Sequence, residues 1–198
     1  MIEGIGFDMN FILASASPRR KELMEMLGLK NLKIIPAKGE EIPPEGAEPQ
    51  ELVMALAAAK AEEVAAYAEE GDVIVAADTI VWFEGEAFGK PHSEEHAKEM
   101  LRRLSGSTHH VYTGVAVLRG GVERLGYECT AVHFRTLSEE EIGRYVQNGE
   151  PMDKAGAYGA QGLGALFVRG IEGDFFNVMG LPLCRLDAML KEQGVGLL

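Results

Sequence analysis

The stretch "MNFILASASPRRKELMEMLGL", residues 9–29, decides the fold class. Its apolar run Phe11-Ile12-Leu13-Ala14 lacks alternation, which suits a strand covered on both faces. Ser17 offers an oxygen to cap a helix, Pro18 fits the first helical position, and the amphipathic run that follows stops at Gly28. Strand, tight turn and helix in direct succession open an α/β sheet. The turn also sets an electrostatic problem. Arg19, Arg20 and Lys21 crowd the first turn, where the helix dipole disfavours each cation by about 0.3–1 kcal/mol. Two arrangements answer it: the arginines point to solvent or pair with Glu22 and Glu25, or they join the exposed amides of the helix end around an anion.

The rest of the chain extends the same pattern. "LKIIPA" is a second strand, leading into the Pro- and Glu-rich loop "KGEEIPPEGAEP". An Ala-rich helix is expected over residues 49–70, ending at Gly71. "DVIVAAD" is a buried strand, and "TIVWFEGEAFGKP" a hairpin turning at Glu84-Gly85. "SEEHAKEMLRRLSG" is a helix capped by Ser93. Two long strands meet at Gly120-Gly121, the strongest hairpin signal in the chain. A short capped helix at "SEEEIGRYVQNG", a glycine-rich segment turning β-like, and a terminal helix at "LPLCRLDAMLKEQG" complete the reading. The expectation is α/β with a mixed sheet, elongated into two lobes around a cleft. Residues 1–8 read as an N-terminal extension and residues 9–198 as one domain.

Composition is that of an ordinary globular protein, with 46% hydrophobic and 25% charged residues. The formal charge of −12 argues against nucleic acid polymers and anionic membranes as partners, because both present many negative charges. A small polyanion remains an eligible ligand wherever cations are gathered. No apolar run approaches membrane-spanning length, the start of the chain does not read as a signal peptide, and Cys129 and Cys184 are isolated; cytoplasm is the expected compartment.

Several stretches carry residues suited to chemistry. Asp78 interrupts the apolar run "VIVAADTIV", either as a strand-end carboxylate bonding local backbone or as a group that holds Mg²⁺ or takes a proton from water. Lys90 stands between Gly89 and Pro91. Glu40 and Glu41 are either a solvated acidic loop or a source of a second carboxylate. Lys60, the one cation in "LAAAKAEE", is either solvent-facing and paired with Glu62 or Glu63, or part of a site. In "DKAGAYGAQGLG", Gln161 could read a base edge, since its amide both donates and accepts, or belong to a surface loop. His92 and His96 match H-x-x-E-H, but Pro91 and Ser93 put His92 before the helix and no third ligand follows. His109 and His110 are assigned to a strand surface. No glycine-rich P-loop is present, which excludes a Walker-type site.

Taken in order, "SASPRR", the "EE" loop, "AAAKA", "AADT", "GKP", "LSGSTHHVYTGV", "FRTLSEEEI", "EPMDKAGAYGAQG" and "GLPL" resemble the Maf family of nucleoside triphosphate pyrophosphatases, from about Asn10 onward. The resemblance implies a fold related to the inosine triphosphate pyrophosphatases. It also implies Mg²⁺- or Mn²⁺-dependent hydrolysis between the α- and β-phosphates, giving a nucleoside monophosphate and pyrophosphate. By the same resemblance Asp78 is the catalytic acidic residue and Ser15, Arg20, Lys60 and Lys90 bind phosphate. Glu41 lies near the metal, with Glu40 its competitor for that role.

Arg19, Thr79 and Gln161 look like the branch acting on dTTP and UTP rather than the one acting on 7-methyl-GTP. A neutral amide at Gln161 suits the acceptor–donor–acceptor edge of uracil or thymine. The resemblance favours a homodimer. A nucleotide-binding regulator of cell division, without turnover, is the alternative function.

Overall fold

The computed structural model describes residues 9–198; the expected extension at residues 1–8 lies outside them. Strand β1 (Asn10–Leu13) leads into helix α1 (Pro18–Met26), strand β2 (Asn31–Ile34) and helix α2 (Pro49–Ala65). Strands β3 (Val73–Phe83) and β4 (Glu86–Phe88) precede helix α3 (Glu94–Leu104), then β5 (Thr108–Arg119), β6 (Val122–Phe134) and α4 (Glu139–Gln147). Short 3₁₀ turns occupy Glu150–Asp153, Ala155–Ala157 and Leu163–Phe167 before β7 (Val168–Glu172), α5 (Phe175–Met179) and α6 (Leu183–Glu192). The expected α/β class with a mixed sheet is what is found: among the described residues, seven strands in the order β2-β1-β3-β5-β6-β7, with β4 on β3.

β1 runs parallel to both β2 and β3, so Phe11 pairs with Leu32 on one side and Val73 on the other. A strand flanked on both edges and covered on both faces must be apolar throughout, and Phe11, Ile12 and Leu13 are fully buried. The turns are built where glycine permits. Glu84 and Gly85 have φ of 52° and 82°, and Gly120 and Gly121 have 56° and 76°, the left-handed pairs that two-residue hairpins demand.

Two compact units form. In the first, which comprises the described residues up to Asp78 with Thr113–Glu128 and Gly180–Leu198, Ile12, Ala57, Ala61, Val64, Ile74 and Ala116 share one core. Alanines on α2 let its backbone come close to β5. A Cβ on Gly114 would stand 2.2 Å from the Val53 carbonyl oxygen, so only glycine fits. In the second, Thr79–Tyr112 with Cys129–Met179, aliphatic residues of α3 and α4 surround an aromatic group of Phe134, Tyr145, Tyr158 and Phe167.

Three expectations need correction. α2 stops at Ala65 instead of reaching residue 70. The Asp72 carboxylate takes the Glu69 amide at 3.0 Å and the Asn10 side chain at 2.9 Å, bonds that turn the chain into β3. His109 is not on a strand surface; it is wholly buried, with Nε2 2.8 Å from Tyr158 Oη and Nδ1 without a hydrogen-bond partner among the described residues. Of this pair, His110 is the exposed one. α5, finally, has no counterpart in the sequence reading: five residues are too few for a helical period to register.

Candidate active site

The first turn of α1 resolves its own electrostatic problem by tertiary contact. The Ser17 hydroxyl caps the helix, while Ser15 Oγ, at the end of β1, accepts the Ser17 N–H at 3.2 Å. The same oxygen lies 3.2 Å from Arg20 Nη1, and Arg20 Nε donates to the Gly180 carbonyl at 2.7 Å. Arg20 is thus turned back toward Ser15, away from the solvent-facing or Glu22/Glu25-paired arrangement. Glu25 is paired with Lys21 instead. Burial pulls the Arg20 pKa down, while the Asp78 charge pulls the other way and neighbouring Arg19 adds to the depression. A guanidinium stays protonated regardless, so a fixed positive charge stands at this helix end beside Ser15.

Lys60 is not the solvent-facing lysine that its place among alanines allows. It leaves α2 with Nζ 2.5 Å from Asp78 Oδ1 and 2.8 Å from Glu41 Oε1. The Lys60 and Asp78 side chains are only 15% and 11% exposed, and a carboxylate so placed needs its cation. Glu63, one turn further along α2, is engaged elsewhere. Its two oxygens accept the backbone N–H groups of Lys38 at 2.7 Å and Gly39 at 2.9 Å, which holds its pKa below the usual carboxylate range. That grip fixes the start of the loop carrying Glu40 and Glu41, and Glu41 is the member of the pair that reaches Lys60.

Ser15, Arg20, Glu41, Lys60 and Asp78 therefore converge within the first unit, with Arg19 beside Arg20 in the same helical turn. Thr79, Lys90 and Gln161 belong to the second unit. Thr79 follows Asp78 on β3 and is half-buried; Lys90 is exposed just beyond β4; Gln161 is half-buried in the turn after Tyr158. Lys90 follows a tethered residue, since the Gly89 carbonyl accepts the Gly156 N–H at 3.1 Å. His92 stands outside α3, as Pro91 and Ser93 require, although its ring centroid lies 4.0 Å from that of His96, tilted by 41°.

Asp78 and Glu41 both reach the Lys60 ammonium, and carboxylate oxygens are the donor type that Mg²⁺ and Mn²⁺ take. Such ions are held by one or two carboxylates completed by substrate phosphates. Among the described residues no group of three or more His, Cys, Asp or Glu side chains is placed to hold a metal ion.

Sequence reasoning missed three contributors. The Gly180 carbonyl and the Glu63 carboxylate fix site residues from a distance and carry no local signal. Glu150, within "EPMDKAGAYG", bonds Tyr145 and the Leu163 and Gly164 amides; the one hint was an acidic residue opening a glycine-rich stretch.

Residues 10–193 match the family described as Maf-like protein. The chain belongs to the Maf family. Among its curated relatives, a protein of Pelotomaculum thermopropionicum is 48% identical, over 94% of this chain and 98% of its own length, and is named dTTP/UTP pyrophosphatase. One of Clostridium tetani with the same name is 45% identical, over 96% of this chain and 100% of its own. Among solved structures, the Staphylococcus aureus Ham1 protein aligns with a TM-score of 0.45 at 12% identity, over 63% of this Maf-family chain and 71% of its own. At that score nothing about this chain follows from the likeness.

Proposed function

We propose that this Maf-family protein hydrolyses dTTP and UTP between the α- and β-phosphates, releasing the nucleoside monophosphate and pyrophosphate. The observation that carries the reading is near full-length similarity, at 45–49% identity, to curated relatives named dTTP/UTP pyrophosphatase. The geometry supports it by supplying what such a reaction needs: fixed cations for a polyphosphate, with the Asp78 and Glu41 carboxylates among them.

In this reading Arg20, Ser15 and the amides of the α1 N-terminus bind phosphate oxygens. Arg19, Lys60 and Lys90 add charge that offsets what develops on the leaving pyrophosphate. Asp78 takes a proton from the attacking water, and Lys60 orients its carboxylate. Asp78 and Glu41 would hold a divalent cation, which when bound neutralises the triphosphate and lowers the pKa of its water. Thr79 and Gln161 are assigned to the nucleoside, the Gln161 amide matching the uracil or thymine edge. No nucleophilic side chain is required, and the direct attack of water leaves no covalent intermediate.

The finer expectations are part of the same proposal: a homodimer, residing in the cytoplasm, that binds neither nucleic acid polymers nor membranes. The net charge of −12 supports the last of these. No helix among the described residues is long and apolar enough to cross a membrane.

Incubation with dTTP and Mg²⁺ tests the activity. Thymidine monophosphate and pyrophosphate should appear in equal amounts, and a chelator should stop their release. Binding of dTTP without pyrophosphate release, over a range of metals and pH, would favour a nucleotide-binding regulator instead.

A further inference from the structure

Gln161 sits in a closed turn, and both limbs of that turn are tied to one pair of side chains. Gly159, two residues before it, donates its N–H to Tyr145 Oη at 3.2 Å. Leu163, two residues after, donates to Glu150 Oε2 at 3.0 Å, and Gly164 donates to Glu150 Oε1 at 3.1 Å. The Tyr145 O–H closes the ring by donating to Glu150 Oε1 at 2.9 Å.

The anchor itself is fixed. Tyr145 is 4% exposed, and its ring meets Phe167 edge-on at 4.8 Å. The turn has no slack either. A Cβ on Gly164 would lie 2.4 Å from the Gly159 oxygen and 2.7 Å from Tyr145 Oη, and one on Gly162 would lie 3.0 Å from Glu150 Oε2.

We infer that Tyr145 and Glu150 are positioning residues for Gln161, holding its turn so that the amide meets the base at one depth and in one orientation. The inference rests on the proposed role of Gln161 at the base. An amide discriminates between base edges only when its donor and its acceptor are both aligned, because hydrogen bonds weaken steeply off-axis. A turn free to shift would let the same amide accept other edges. The Glu150 side chain gathers three donors on its two oxygens, which suits it to the task.

Pyrophosphate release from UTP, dTTP, CTP and GTP, with kcat and KM measured for each, tests the inference in wild type, Tyr145→Phe, Glu150→Gln and Gln161→Ala. Tyr145→Phe should cut the preference for UTP over CTP and GTP about fivefold, the size of the one neutral hydrogen bond by which Tyr145 holds the turn directly, that from the Gly159 N–H. The loss should fall on the KM for UTP more than on kcat. Glu150→Gln should cut the preference further. Adding Tyr145→Phe to Gln161→Ala should lower it no more than Gln161→Ala alone.

Suppose Gln161→Ala loses the preference while Tyr145→Phe and Glu150→Gln keep it, or lose activity equally on all four substrates; the positioning role is then overturned. A Gln161→Ala enzyme that keeps the preference overturns the base-facing reading of Gln161, and the inference with it. Tyr145→Phe removes a single oxygen and keeps the packed ring, so it gives the answer even where Glu150→Gln does not fold.

Discussion

Lys60 Nζ and Asp78 Oδ1 stand 2.5 Å apart, both side chains largely withdrawn from water, with Glu41 closing on the same ammonium at 2.8 Å. A helix of alanines delivers the lysine and an apolar strand delivers the aspartate. Each is out of character with its neighbours until the two meet.

That meeting predicts an asymmetry between two variants. Lys60→Met leaves the Asp78 carboxylate buried without its cation and should cost about 3 kcal/mol of stability, read by chemical denaturation. Asp78→Asn removes the charge and keeps the shape, so the fold should hold. Pyrophosphate release should nevertheless fall by about 10²–10⁴, the range of general acid–base catalysis. Substantial residual turnover in Asp78→Asn would remove this carboxylate from the reaction.

Glu63 touches no proposed substrate, but it anchors the loop that presents Glu41. Glu63→Ala should raise the Mg²⁺ concentration for half-maximal turnover about tenfold, as loss of a ligand's support commonly does, with little change in the melting temperature. The two amide bonds depress the Glu63 pKa. The grip is therefore present above the ordinary carboxylate range and is lost as the pH falls through the depressed value. A metal titration at several pH values reads both effects.

His109 makes stability acid-sensitive. Burial lowers its pKa from 6.5 to about 3, so between those values the unfolded chain binds a proton that the folded one refuses. Stability from this group is complete above pH 6.5. It is lost as the pH falls toward 3, by up to about 1.4 kcal/mol per pH unit. His109→Gln should flatten that part of the stability profile, measured by denaturation at a series of pH values. An unchanged slope would show that the imidazole protonates without unfolding.

Gly114 marks where α2 lies against β5. Gly114→Ala places a methyl carbon 2.2 Å from the Val53 oxygen, where nothing flexible can yield. The helix backbone must move, at a cost of about 3 kcal/mol or more. Because α2 carries Lys60, turnover should fall along with the melting temperature.

The elements were legible in the sequence because their signals are local. Ser17 before Pro18, Ser93 before Glu94, Ser138 with Glu141, and the Glu84-Gly85 and Gly120-Gly121 turns act within four residues of themselves, and each appears where expected. The motifs quoted from "SASPRR" to "GLPL" were enough to mark the family, since membership resides in residue order. The end of α2 was misread because Asp72, outside the helical pattern, captures the Glu69 amide.

Partnership was beyond the sequence. Lys60 had near neighbours in Glu62 and Glu63, yet its carboxylate is Asp78, 18 residues away, and Arg20 bonds a carbonyl 160 residues on. His109 was placed on a surface and lies in a core. Local propensity sums interactions over about one helical turn, whereas the worth of a charge or an imidazole depends on how much water its surroundings exclude. Only packing decides that, so the residue types of this site were set by the chain and their pairing by the fold.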